Sequence, residues 1–93
     1  MKPRIGEIVH YCLLMRGQLV ERPAMIVAVC ECRETHVDLQ IFLNGESDLE
    51  NIGNPTQHGL KGYTLWMPYV VQNETHKIAN TWHWPERNWD EAA

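Results

Sequence analysis

The clearest alternation of apolar and polar positions runs through THVDLQIFL, residues 35–43. Val37, Leu39, Ile41 and Leu43 fall on one face of an extended segment, and His36, Asp38, Gln40 and Phe42 on the other. This period of two predicts a half-buried strand. The preceding run, PAMIVAVCEC, is nearly continuously apolar from Ala24 to Cys30, rich in Val and Ile, and too short to argue for a helix. It predicts a central buried strand bounded by Pro23. Only ECRE separates the two runs, so they are expected to pair as an antiparallel hairpin.

Imperfect alternation around Ile8, Val9 and Tyr11 predicts an earlier strand at 7–14, followed by MRGQLVER as a polar connection containing Gly17. Asn44-Gly45 is a turn signal. Residues 45–62 carry four glycines and one proline, which predicts a long loop with a short helical turn near Ser47–Asn51. YTLWMPYVV at 63–71 resumes strand composition, with Pro68 requiring an edge position or a bulge. A polar turn (QNETHK), a last short strand (IANTWHW) and a tail from residue 86 complete the chain. Short strands, polar turns and no amphipathic helix predict one all-β domain over residues 1–93. The expected form is a small SH3-like, partly open antiparallel barrel of about five strands with one long loop.

Composition changes this picture mainly by exclusion. Ninety-three residues suit a single domain. Eight basic against twelve acidic residues give a net charge of −4, which argues against a nucleic-acid polymer or an anionic membrane as the partner. No apolar run approaches the roughly 20 residues of a membrane span. Five of the eight cations are arginines (Arg4, Arg16, Arg22, Arg33 and Arg87), the cation suited to bidentate recognition of phosphate or carboxylate. Three cysteines leave at least one unpaired and no signal segment precedes them, which points to a reducing cytoplasm.

Catalytic and metal motifs are weak. Cys30-Glu31-Cys32 has the spacing C-x-C, which on a strand sends the thiols to opposite faces, unlike the C-x-x-C of zinc knuckles. Cys30 is expected as a small core residue and Cys32 at a turn, and no metal or cofactor is expected. His10 and Cys12 share a strand face, but a nucleophile needs a third group to orient the histidine, and the sequence offers none. Glu46, Asp48 and Glu50 lack the ligand ladder of a calcium loop. No phosphate cradle or hydrolase motif is present.

The aromatic residues carry more. In TWHWPERNW, residues 81–89, alternation puts Trp82 and Trp84 on one face, where they are expected to close the barrel, and His83 on the other. His83, Arg87 and Trp89 are then expected to be free for a ligand. An indole beside a guanidinium suits a flat anionic ligand or a protein partner.

MKPRIGEIVHY, RPAMIVAV, VDLQIFLNG and above all TWHWPE, Thr81–Glu86, resemble a set of small bacteriophage-encoded proteins, with Asn80 where glycine is often found in them. That resemblance implies a phage accessory protein acting in the cytoplasm of the infected bacterial host. Gly6-Glu7-Ile8-Val9 and Arg22-Pro23-Ala24 are also similar to two strands of MazF-like toxin ribonucleases, which implies the barrel and leaves the activity aside. The resulting expectation is a non-catalytic, self-associating binding protein. Its ligand is a small anion, such as a nucleotide signal of bacterial immunity, held by Arg16, Arg22, His58, Trp66, His83, Trp84, Arg87 and Trp89. The alternatives are a protein inhibitor of a host defence enzyme, a ribonuclease relative and a minor virion component.

Overall fold

The computed structural model describes residues 2–33, 35–51 and 63–85. In chain order the elements are β1 (Ile8–Met15), β2 (Gln18–Val29), β3 (His36–Phe42), α1 (Gly45–Asn51), β4 (Thr64–Gln72) and β5 (Thr81–His83). The strands hydrogen-bond in sequence order, so the expected five-stranded all-β barrel is present, but it is closed where a partly open one was expected, because β5 returns to pair with β1. Four junctions are antiparallel and the β4–β5 junction is parallel.

Most of the expected polar connection at 15–22 is strand. Met15 pairs with Gln18, so the turn consists of Arg16 and Gly17 alone, at φ 48° and 78°. Two successive positive φ values match the twist of a tight hairpin, which lets polar residues enter the ladder directly. Their parity then decides their place: Val20 and Arg22 take the inward parity of Ala24 and Ile26, while Glu21 faces outward. The last strand is shorter than expected, because Asn80 sits at φ 65° and residues 79–80 form a turn before β5 begins.

Alternation fills the barrel. Val9, Tyr11, Leu13 and Met15 from β1 meet Ala24 and Ile26 from β2, Val37, Leu39 and Ile41 from β3, Leu65 and Val70 from β4, and Trp82 from β5. Two bulges bend this sheet. Val27 is the extra residue of β2 against β3, and Pro68-Tyr69 face Asp38 as two residues against one. Pro68 has no N–H to donate, and the Tyr69 N–H, at φ 53°, goes to Asp38 Oδ1 at 2.8 Å, so of the edge position or bulge expected from Pro68 the bulge is the one found.

Asn80 supports the turn in two ways. Its backbone tolerates the left-handed region better than most residues do, and its Oδ1 accepts a 2.6 Å hydrogen bond from the Tyr11 hydroxyl. Burial pushes that phenol up to about 12. Asn80→Ala is expected to cost about 1–2 kcal/mol from strain and the orphaned hydroxyl. Asn80→Gly relieves the strain alone and should fall between the two in urea denaturation.

Candidate functional site

The outward residues of β1 are Ile8, His10, Cys12 and Leu14. In the ladders His10 stands opposite His83 of β5, and Cys12 stands opposite Glu21 of β2. Three strands therefore bring two imidazoles, a carboxylate and a thiol together on the outside of the barrel. Glu21 Oε1 lies 2.8 Å from His10 Nδ1 and 3.0 Å from His83 Nε2, so one oxygen serves both rings. The rings meet edge to face, with centroids 5.7 Å apart. Burial pushes the Glu21 carboxyl up, but hydrogen bonds and charge from the two imidazoles outweigh it and leave the group below its ordinary value. The far nitrogen of His83, Nδ1, lies 3.8 Å from Cys12 Sγ.

Cys12, His83 and Glu21 thus stand in the order nucleophile, base and orienting group, which supplies the third member that the sequence did not reveal. The thiol is nevertheless only 2% exposed, and burial raises its pKa. A thiol without access or thiolate character attacks no substrate. In the folded protein Cys12 is expected to react with a thiol reagent many-fold more slowly than after unfolding, as a timed Ellman assay would measure.

Next to this cluster lies a groove of about 320 Å³ lined by Glu21, Arg22, Pro23, Phe42, Leu43 and Asn44. Arg22 is fixed within it. Its Nε donates to Asp48 Oδ2 at 2.6 Å, its NH2 nitrogen to Asp48 Oδ1 at 2.8 Å, and its NH1 nitrogen to the Glu21 carbonyl at 2.9 Å. Asp48, on α1, also accepts the Asn44 N–H at 2.6 Å and is almost fully buried. The guanidinium holds the Asp48 carboxyl below its usual range, helped by the Asn44 N–H and opposed by burial.

The structure distributes the expected site residues unevenly. His83 is not free: it is fully buried, because β5 is covered on both faces, by the core at Trp82 and by His10, Cys12 and Glu21 at His83. Trp82 fills the core and Trp84 packs edge-on against it at 5.3 Å, as expected of a pair closing the barrel. Trp66 is exposed on β4, where it pairs across β3 Gln40, and Arg16 is in the β1–β2 turn, so neither joins Arg22 and His83. His58, Arg87 and Trp89 lie outside the described residues. Cys30 and Cys32 form a disulfide across 5.2 Å between Cα atoms. Both lie beyond the end of β2, so neither the opposite-face geometry nor the core position expected for Cys30 applies.

His10 and Glu21 are the members that sequence reasoning missed as a pair. The available signal was the shared face of His10 and Cys12, but Glu21 was hidden in a segment read as a connection. No protein-family model, curated protein or solved structure matches the chain.

Proposed function

We propose that the chain is a non-catalytic phage accessory module that captures a small anionic, nucleotide-type ligand in the groove beside α1. The observation that carries this reading is the preset Arg22. Among the described residues three of its five N–H groups are committed, to Asp48 and to the Glu21 carbonyl, so the guanidinium is already ordered beside the groove and binding need not order it. Phe42 supplies an exposed ring on the same groove, and the volume is at the lower end of ligand pockets. The buried thiol of Cys12 supports a role without covalent catalysis.

The phage setting and the host cytoplasm are carried over from the likeness around Thr81–Glu86. A reducing cytoplasm opposes the Cys30–Cys32 bond. The ligand reading does not depend on that bond, since no groove residue belongs to the β2–β3 connection.

A thermal-shift screen against cyclic and linear nucleotides tests the reading, because a ligand that binds only the folded chain raises its melting temperature. A shift is expected for at least one nucleotide and is expected to vanish in Phe42→Ser. No shift with any nucleotide contradicts it. RNA cleavage lost in Arg22→Ala would instead favour the ribonuclease alternative.

A second reading has its own observation. Met25, Val27, Trp66, Tyr69 and Val71 are exposed along the outside of β2 and β4, flanking the outward residues Gln40, Asp38 and His36 of β3. Such a face suits self-association or a host protein partner. Sedimentation is expected to show concentration-dependent association that Trp66→Lys removes.

A further inference from the structure

We propose that His10 Nδ1, Glu21 Oε1 and His83 Nε2 form a binding site for one divalent transition-metal ion of the zinc class. The three donor atoms all lie within 4.8 Å of one another. Tetrahedral ligands around zinc stand about 3.3 Å apart at bond lengths of about 2.0–2.1 Å. The two separations involving Glu21, 2.8 and 3.0 Å, are close to that spacing, so a small rotation of the carboxylate admits the ion. Two imidazoles and one carboxylate form a nitrogen-rich set that suits zinc and its first-row neighbours better than calcium or magnesium.

A buried histidine in a purely structural role needs one partner for each ring nitrogen. Here a second imidazole converges on the same oxygen, and a shared cation would hold all three groups in that arrangement. The donors also sit on rigid elements. His83 is locked inside β5, His10 is its direct neighbour in the β1 ladder, and Glu21 flanks β1 from β2 opposite Cys12. With Nε2 on the metal, His83 carries its proton on Nδ1, 3.8 Å from Cys12 Sγ, so the thiol acts as the acceptor that fixes the tautomer and ring orientation. Cys12 is therefore a positioning residue.

The remaining coordination positions face solvent, since the side chains of His10 and Glu21 are 35% and 47% exposed while His83 is buried. Three protein ligands and an open position are what a zinc ion needs to accept an outside oxygen atom. Because Glu21 also lines the groove, the ion places positive charge at its edge and offers a position to an anionic oxygen. That last step rests on the nucleotide reading above. The metal site does not.

The test uses the whole 93-residue chain carrying Cys30→Ser and Cys32→Ser, so that no thiol freed by reduction of their disulfide competes for the ion. It is stripped with a chelator, then titrated with zinc by calorimetry and with cobalt by visible absorption. One ion per chain is expected. His10→Ala and Glu21→Gln, both at partly exposed positions and checked for an unchanged fold by circular dichroism, are expected to lose affinity by about 100-fold or more, and Cys12→Ala about 10-fold. No saturable zinc binding, or binding unchanged in a folded His10→Ala protein, overturns the site. Repeating the nucleotide thermal-shift screen with and without zinc separates the two proposals. Zinc binding without any nucleotide shift leaves the metal site and removes its link to the groove. A nucleotide shift in a protein that binds no zinc removes the metal site alone.

Discussion

Trp82→Ala is expected to destabilise the protein by about 3–5 kcal/mol, enough to leave much of the population unfolded under mild conditions. The indole is fully buried, donates to the Thr35 carbonyl at 3.0 Å and supports Trp84 edge-on. Its position in the ring matters as much as its area. Among the described residues β5 joins β1 through two residue pairs, and Trp82 is in one of them, opposite Tyr11. It is also in one of the two pairs that join β5 to β4, opposite Gln72. A cavity there therefore loosens the element that closes the barrel. Trp82→Phe keeps much of the burial and loses the Thr35 bond, for about 1–2 kcal/mol. Urea denaturation followed by far-ultraviolet circular dichroism reads both values. A loss below about 1 kcal/mol for Trp82→Ala would mean that β5 does not secure the ring.

Asp48→Ala is the second large effect, at about 2–4 kcal/mol. It leaves the Arg22 guanidinium partly buried without its bidentate partner, and it removes the acceptor of the Asn44 N–H at the start of α1. The cost belongs mainly to the stranded charge, so Arg22→Met combined with Asp48→Ala should cost clearly less than the sum of the single changes. The pair also sets an acid limit. Because Asp48 ionises below its ordinary value in the folded chain, its contribution is fully present above the unfolded carboxylate range near pH 4. It is lost as pH falls through the lower folded value. Stability against urea in wild type should therefore drop more steeply below about pH 4 than in the Arg22→Met/Asp48→Ala protein.

Much of the barrel was legible because alternation is a local property. Val37, Leu39 and Ile41 declare one face of β3 by themselves, and Pro68 announces its bulge by lacking an N–H. The candidate site was legible only in pieces, because it depends on register. Nothing local in TWHW says that both faces of β5 are covered, so His83 read as outward and free when it is outward and buried. Glu21 was lost for a similar reason: Arg16-Gly17 is a two-residue turn, and the polar residues after it belong to a strand. The partnership of Arg22 with Asp48 spans 26 positions and requires α1 to sit beside β2, which no spacing rule conveys.

The same register closes the thiol of the Cys-His-carboxylate series off from solvent. Order along the hydrogen bonds is right, but the thiol is on the closed side of His83 and the open side holds His10 and Glu21. The groups open to solvent on this face are the imidazole of His10 and the carboxylate of Glu21, which fits the proposed capture of a ligand that leaves unchanged.

The most direct test is titration calorimetry of the native chain with the nucleotide that gives the largest thermal shift, followed by chromatography of the recovered ligand. Saturable binding at one site per chain is expected, weakened by Phe42→Ser, with the nucleotide returned intact. Conversion of the nucleotide to product, or no measurable binding across the cyclic and linear nucleotides, would contradict the proposed capture.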